Sequence, residues 1–146
     1  MHIGGEVLLH ADPQTVWRAL HDTNLLAQCV PGCEEINWCD DETLTASLVL
    51  KIGTARRRYR GHIRIVEAIE PESYRLLIGK SVETASIESR IRLEPTPAGT
   101  TIHYEIEASL DGYLERLGAR IAAGIARRLA TRFFKRLDVL LQEKPD

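Results

Sequence analysis

Between residues 33 and 110 apolar side chains recur at every second position, and this pattern constrains the fold more than any other feature of the sequence. Its clearest stretch is Leu44, Ala46, Leu48, Leu50 and Ile52, with Thr45, Ser47 and Lys51 between them. The same period returns at 59–65, 74–78, 87–93 and 102–110. Successive side chains of a strand point to opposite faces, so the pattern predicts an antiparallel sheet with one buried and one wet face.

The first 32 residues predict a strand followed by two short helices. Apolar residues alternate at positions 3–9. Asp12-Pro13 then begins a helix, because Asp caps helix N-termini well and Pro suits the first helical position. Asp22 is placed to cap a second, shorter helix, and Pro31-Gly32 ends it.

A single long amphipathic helix is predicted from Gly112 to about Gln142 to cover the buried face of the sheet. At 1.5 Å per residue its roughly 30 residues would reach about 45 Å, enough to cross a sheet. We expect Leu114, Leu117, Ile121 and Ile125 to form the stripe that faces the sheet. The middle of the helix is rich in Gly and Ala, which either leave a cavity or allow close approach.

Several segments resemble the family of the carbon monoxide dehydrogenase G subunit, whose members have the helix-grip fold of START-like (SRPBCC) proteins. The most specific is Cys29-Val30-Pro31-Gly32-Cys33-Glu34. The other matching segments are Asp12-Pro13 with Val16-Trp17, Lys51-Ile52-Gly53 with Tyr59-Arg60-Gly61, and Leu117-Gly118-Ala119-Arg120 with Arg127-Arg128-Leu129-Ala130 and Phe133-Phe134. The resemblance implies an α+β helix-grip fold: a seven-stranded antiparallel sheet, two short helices and a long C-terminal helix. We expect one domain over residues 1–146, a usual length for a single domain.

The resemblance also implies a function. Family members accompany molybdenum hydroxylases of the carbon monoxide dehydrogenase type, and are associated with membrane attachment or with a lipophilic electron acceptor such as a quinone. It therefore implies a non-enzymatic carrier for a hydrophobic small molecule, a quinone or a lipid. Residues 77–89 depart from the family pattern, being shorter and less rich in glycine, so the identity of the ligand is not carried over.

The alternation and the helical stripe together give the candidate ligand contacts, because apolar walls are typical of small-molecule sites. Tyr59, Tyr104 and Ser89 are the polar exceptions among the inward positions, and for each Tyr a purely structural role is the alternative. The candidates are Leu48, Leu50, Tyr59, Leu76, Ile87, Ser89, Ile91, Tyr104, Leu117, Ile121 and Ile125.

A second hypothesis is that the C-terminal helix docks on an anionic membrane surface or on an enzyme partner. Residues 112–146 contain eight basic and four acidic residues, although the whole chain has a net charge of −2. The candidate docking residues are Arg127, Arg128, Arg132, Lys135 and Arg136. The alternative is that these side chains only solvate the outer face of an amphipathic helix.

The sequence contains no recognisable catalytic motif, so we expect no catalytic residue, cofactor or metal; a START-like cyclase or hydrolase remains the third hypothesis. Cys29, Cys33 and Cys39 have no zinc-site spacing, and an odd number of cysteines without an export signal predicts reduced thiols in the cytoplasm. Peripheral contact with the inner face of the membrane fits the docking hypothesis. The arginines of residues 56–64 resemble a solvated strand face, and no nucleic-acid partner is expected.

Overall fold

The computed structural model describes residues 1–81, 84–110 and 112–143. Val82 and Glu83, in the short segment that departs from the family pattern, lie outside the described residues, as do Asp111 and the last three residues of the basic C-terminal segment, Lys144, Pro145 and Asp146. The strands are β1 (His2–Leu9), β2 (Cys33–Trp38), β3 (Thr43–Ile52), β4 (Ala55–Ile69), β5 (Ser73–Ser81), β6 (Thr84–Thr96) and β7 (Gly99–Ala108). The helices are α1 (Pro13–Leu20), α2 (Thr23–Cys29), α3 (Gly112–Leu117) and α4 (Ala119–Glu143).

All seven strands form one antiparallel sheet, as predicted, and their order is β1-β7-β6-β5-β4-β3-β2. Consecutive strands from β2 to β7 are neighbours, and β1 pairs with β7. The two edge strands of the sheet are therefore β1 and β2. The period of two places the apolar residues on one face, which we call the inner face because the helices cover it. The other side is the outer face.

The outer face is polar and rich in ion pairs. The Arg58 guanidinium forms two hydrogen bonds with Glu34, at 2.8 and 3.0 Å, and Glu34 also accepts one from the Ser47 hydroxyl. These contacts hold the pKa of the Glu34 carboxyl below its usual value, with the Arg58 hydrogen bonds as the largest cause. Arg75 bridges Glu67 and Glu88. The face is therefore a network of exposed charges.

The two short helices begin where the capping residues predict. The Asp12 side chain accepts a hydrogen bond from the Thr15 amide and precedes Pro13 at the first helical position. Asp22 accepts from the amides of Asn24 and Leu25. Such caps satisfy amides that have no partner within the helix. They fix α1 and α2 across one end of the inner face.

The prediction of one continuous C-terminal helix is wrong, because the helix is interrupted at Gly118. This glycine has a φ of +95°, and Gly112 at the start of α3 has a φ of +56°. Side chains with a Cβ adopt this region only at a cost, so glycine allows the chain to turn there. The result is a six-residue helix, α3, between two glycine turns, followed by the long helix α4.

Candidate functional site

The inner face of the sheet brings together the candidate ligand contacts predicted on the strands. The register pairs Leu48 with Tyr59 between β3 and β4. It also pairs Leu76 with Ser89, and Ile91 with Tyr104, across β5, β6 and β7. Leu50 and Ile87 follow at the same period of two. All eight side chains therefore lie on one surface, although their ligand contacts remain predictions.

One end of this surface is sealed, and we call it the closed end. Here α1, α2 and the C-terminal half of α4 pack on the sheet, with Phe134 and Leu137 of α4 buried. Trp17 of α1 stacks on His21 and meets the ring of Tyr74 edge-on. Burial raises the pKa of the Tyr74 hydroxyl. The sheet residues of the closed end are Leu9, Ile36, Leu44, Ile65, Tyr74, Ile91, Leu93 and Ile102.

The other end of the inner face is apolar but only half covered, and we call it the open end. Its side chains lie outside the buried core cluster, and each is half-buried. They come from the far ends of five strands, where α1 and α2 do not reach. The residues of the open end are Leu48, Leu50, Ile52, Tyr59, Ile78, Ile87 and Ile106. Apolar side chains that are only partly buried can form the wall of a small-molecule site, since such sites are lined mainly by apolar residues.

Tyr104 marks the boundary between the two ends. Its ring lies beside Phe134 of α4 with 5.4 Å between the ring centroids. The ring also covers Gly5 of β1, since a Cβ at Gly5 would lie 2.7 Å from the Tyr104 Oη atom. The absence of a side chain at Gly5 therefore makes room for Tyr104. This contact supports the structural role that was the alternative for this tyrosine.

The helix does not present the predicted stripe to the sheet. Ile121 is 52% exposed, whereas Ala122 and Ala123 are buried. Leu114, Leu117 and Ile125 are half-buried. The inner stripe of α4 continues from these alanines through Phe134 to Leu137, so it lies on the opposite side of the helix from Ile121. The expectation that Ile121 faces the sheet is wrong, because small residues occupy the inner side of the helix where it passes over the sheet.

Arg57 and Tyr113 join the open end to α3, and neither is among the site residues predicted from the sequence. The Arg57 guanidinium lies over the Tyr113 ring at 4.4 Å from its centroid, and Arg116 lies at 5.9 Å. Arg57 pairs with Leu50, so it belongs to the inner face of β4, unlike Arg56 and Arg58. Arg57 is two residues before the inward-facing Tyr59, so the period of two places it on the inner face. The same period places Arg56 and Arg58 on the outer face. The contact ties α3 to the β3–β4 hairpin.

The predicted docking residues of α4 are all exposed. They are Arg127, Arg128, Arg132, Lys135 and Arg136. Ile121 and Val139 are exposed on the same helix, and at 100° per residue they align with Arg128 and Arg132. The solvent side of α4 therefore combines positive charge with two apolar side chains. No helix within the described ranges has the length and apolar character needed to cross a bilayer.

Several titratable side chains have partners within the protein. His10 contacts Asp138, and His103 lies between Glu6 and Glu94. Burial raises the pKa of the Cys29 and Cys33 thiols, which disfavours the nucleophilic thiolate. In the part of the chain that the structure describes, no three His, Cys, Asp or Glu residues are placed to hold a metal ion.

A groove of about 520 Å³ lies on the outer face, but its chemistry differs from that of the open end. Its walls include Glu34, Arg58, Arg60, His62 and Lys80. Charged side chains of both signs do not provide the apolar walls that a hydrophobic molecule requires. The inner face is therefore the candidate site for such a ligand.

Solved structures show how widely this architecture occurs. The protein matches a conserved protein from Geobacillus kaustophilus at a TM-score of 0.87 and 24% identity, covering 98% of this chain and 96% of that one. It matches Ara h 8.0201 at a TM-score of 0.72 and 12% identity, covering 99% of each chain. An AHSA1-like protein from Aeromonas hydrophila matches at a TM-score of 0.68 and 14% identity, covering 100% and 98%. At these identities the similarity shows the fold alone, which is the helix-grip fold.

No curated protein is similar enough in sequence to count as a relative. A family model does match: that of the carbon monoxide dehydrogenase G subunit (CoxG), over residues 5–141. This range includes the Cys29–Glu34 segment, the central hairpin and α4 almost to its end. The chain therefore belongs to the CoxG family of carbon monoxide dehydrogenase proteins.

Proposed function

We propose that this protein binds a hydrophobic small molecule at the open end, between the inner face of the sheet and the N-terminal half of α4, and carries it without chemical change. The observation behind the proposal is the half-covered apolar surface at this end, which includes Leu48, Ile78 and Ile87. It continues directly from the sealed core, and its proposed cover is the N-terminal half of α4, whose buried residues are Ala122 and Ala123. Apolar walls of this kind suit a lipophilic ligand.

The proposed ligand is a quinone or a lipid, and the proposed partner is a molybdenum hydroxylase of the carbon monoxide dehydrogenase type. Membership of the CoxG family supports an accessory role of this kind. The geometry supports a carrier rather than a START-like cyclase or hydrolase, because the side chains of the open end are aliphatic apart from Tyr59 and the neighbouring Arg57. The proposed ligand contacts are Leu48, Leu50, Tyr59, Leu76, Ile87, Ser89, Ile91, Tyr104, Leu117 and Ile125.

Thermal unfolding and native mass spectrometry with a panel of quinones and fatty acids test this function. A ligand at about 100 times its Kd stabilises the folded state by about 2.7 kcal/mol, which raises the Tm by about 5–10 °C for a domain of this size. The decisive variant is Leu48→Glu, which places a charge on the inner face. Val49→Glu is its matched control, because Val49 is equally half-buried on the same strand but faces outward.

We expect Leu48→Glu to lose the ligand-induced rise in Tm and the ligand-bound mass, whereas Val49→Glu keeps both. If the wild-type protein binds none of the panel, the carrier function is wrong. If both variants lose binding equally, the site does not lie on the inner face.

A second candidate function is docking through the exposed side of α4. The observation that favours it is the alignment of Ile121 and Val139 with Arg128 and Arg132. A basic surface with apolar side chains fits the headgroup region of an anionic membrane. Each Lys or Arg near such a surface contributes about 1 kcal/mol.

Flotation with vesicles of phosphatidylglycerol and phosphatidylcholine tests this docking. Reversal of Arg132, Lys135 and Arg136 to Glu should weaken vesicle binding by at least about 100-fold, since three favourable contributions are removed. Reversal of Arg56, Arg60 and Arg92 on the outer face changes the net charge equally and should have little effect. Equal loss in both triple variants would show a response to net charge alone and would contradict docking through α4.

A further inference from the structure

Ser89 is a polar residue in an apolar part of the inner face. It is 5% exposed and lies in the middle of β6. Ile87 and Ile91 are its neighbours along the same face of the strand, and the register places Leu76 of β5 and Ile106 of β7 beside it. Four aliphatic side chains therefore surround one hydroxyl group.

The Ser89 hydroxyl differs from the buried hydroxyls of Thr43, Ser47 and Thr100, because nothing in the described parts of the chain forms a hydrogen bond with it. The Thr100 hydroxyl donates to the Ala11 carbonyl at 2.7 Å, and the Ser47 hydroxyl donates to Glu34 at 3.0 Å. Thr43 forms a hydrogen bond with Asp40. Since the great majority of buried polar groups have a partner, an unpartnered hydroxyl on a candidate ligand surface is informative.

The Ser89 Oγ atom keeps a small accessible surface. Among the described residues, the side-chain oxygen that is both sealed and unpartnered is the Thr96 Oγ1 atom. The Ser89 hydroxyl therefore keeps some access, and its position on the inner face directs that access toward the space between sheet and helix. It lies at the inner limit of the open end, next to Ile91 of the closed end.

The surroundings of Ser89 suit a neutral group rather than an ion. An ionised carboxylate in this position would be desolvated without a counter-ion, which is strongly unfavourable. The inward-facing cation Arg57 lies at the hairpin end of β4 with Tyr113. The side chains that face inward on β5, β6 and β7 around Ser89 are Tyr74, Leu76, Ile78, Ile87, Ile91, Tyr104 and Ile106.

We propose that the Ser89 hydroxyl forms a hydrogen bond with the polar end of the ligand, and that the site selects apolar molecules ending in a neutral hydroxyl or carbonyl oxygen. This inference rests on the proposed binding function and adds the chemistry of the ligand's polar end. The oxygen lies inward at Ser89, and the apolar remainder extends along the open end toward Leu48 and Leu50.

A double-mutant cycle between ligand and protein tests the hydrogen bond. The probes are 2-naphthol and 2-methylnaphthalene, which differ by a hydroxyl in place of a methyl group, and their Kd values are measured with the wild-type protein and with Ser89→Ala. A hydrogen bond contributes about 0.5–1.5 kcal/mol, so the preference for 2-naphthol should fall by about 2- to 10-fold in Ser89→Ala. Ionised 2-naphthoate should bind the wild-type protein at least about 10-fold more weakly than 2-naphthol.

Two further variants keep the test specific. Ser47→Ala removes a buried hydroxyl from the outer face and should leave the preference unchanged. Ser89→Cys retains the size of the side chain with a weaker donor and should give an intermediate preference. If both probes bind and Ser89→Ala leaves their ratio unchanged, or if naphthoate binds as tightly as naphthol, the inference is overturned while the binding function stands. If neither probe binds the wild-type protein, the binding function fails as well.

Discussion

The closed end and the open end have the same strand pattern but different burial. On β7, Ile102 and Ile106 both face inward, four residues apart, yet Ile102 is completely buried and Ile106 is half-buried. The difference arises from what lies above each residue. The closed end is covered by α1, α2 and the aromatic half of α4, whereas the open-end side chains lie outside that buried cluster and α3 reaches this end through the contact of Tyr113 with Arg57. Alternation thus specifies the inner face, and the helices decide which part of it becomes core.

The largest predicted effect comes from truncating these two isoleucines. Ile102→Ala should lower the free energy of unfolding by about 4 kcal/mol, because it leaves a cavity in a packed core. Ile106→Ala should cost about 1 kcal/mol, since this side chain already has incomplete packing. Urea unfolding of both variants measures the two values. Equal losses would mean that the two ends are equally well packed and would break the comparison.

A smaller effect is expected at the boundary between the ends. In Gly5→Ala the new methyl group would lie 2.7 Å from the Tyr104 Oη atom, so the ring must shift away from Gly5 and its packing beside Phe134 is disturbed. Overpacking of this kind costs about 1–3 kcal/mol. Gly4→Ala is the control, because its nearest contact is the Tyr104 carbonyl oxygen at 3.3 Å. If Gly4→Ala destabilises as much in urea unfolding, the position of the Tyr104 ring is not the cause.

Substitution of two glycines, one between α3 and α4 and one inside α4, should change stability in opposite directions. Gly118→Ala should destabilise the protein by about 1–2 kcal/mol, because its φ of +95° disfavours any residue with a Cβ. Gly124→Ala lies inside α4 with open space around its Cβ position and should stabilise by about 0.5–1 kcal/mol. Thermal unfolding of both variants measures the signs. A stabilising Gly118→Ala would indicate a continuous helix over the open end.

The last effect is absent at neutral pH and is a change in the alkaline pH dependence of stability at the closed end. Burial raises the pKa of Tyr74, so above pH 10 the unfolded chain loses this proton while the folded protein retains it. The free energy of unfolding should therefore fall with rising pH, by about 1.4 kcal/mol per pH unit from this residue. In Tyr74→Phe this contribution disappears, and the cysteine contributions remain common to both proteins. Parallel pH profiles for the two proteins would contradict the burial of Tyr74.

The sequence predicted the sheet, its inner face and the two short helices, because these follow from local rules. The alternation of apolar and polar residues shows on which face of the sheet each strand side chain lies, and it needs no information about the rest of the chain. Asp12 and Asp22 act through amides only two or three residues away. These features therefore need no information about tertiary packing.

The C-terminal helix was less predictable because it has two apolar stripes. One contains Ile121 and Ile125, and the other contains Ala122, Ala123 and Phe134 on the opposite side. Hydrophobicity predicts that the isoleucine stripe faces the sheet. In the structure the stripe with the smaller residues faces it, because these allow close packing. The break at Gly118 was also unpredictable, since glycine is tolerated inside helices as well as between them. Arg57 was misplaced because a run of arginines conceals which member faces inward.

The packing of α2 on β2 and of α4 on β1 has a consequence for self-association. These strands are the two edges of the sheet, and an uncovered edge offers free amides and carbonyls to a strand from another molecule. The helices that pack on the edges are also those that build the closed end. A variant that loosens the closed end should therefore aggregate through exposed edge strands before the sheet itself unfolds. Substitutions at the open end should not increase aggregation.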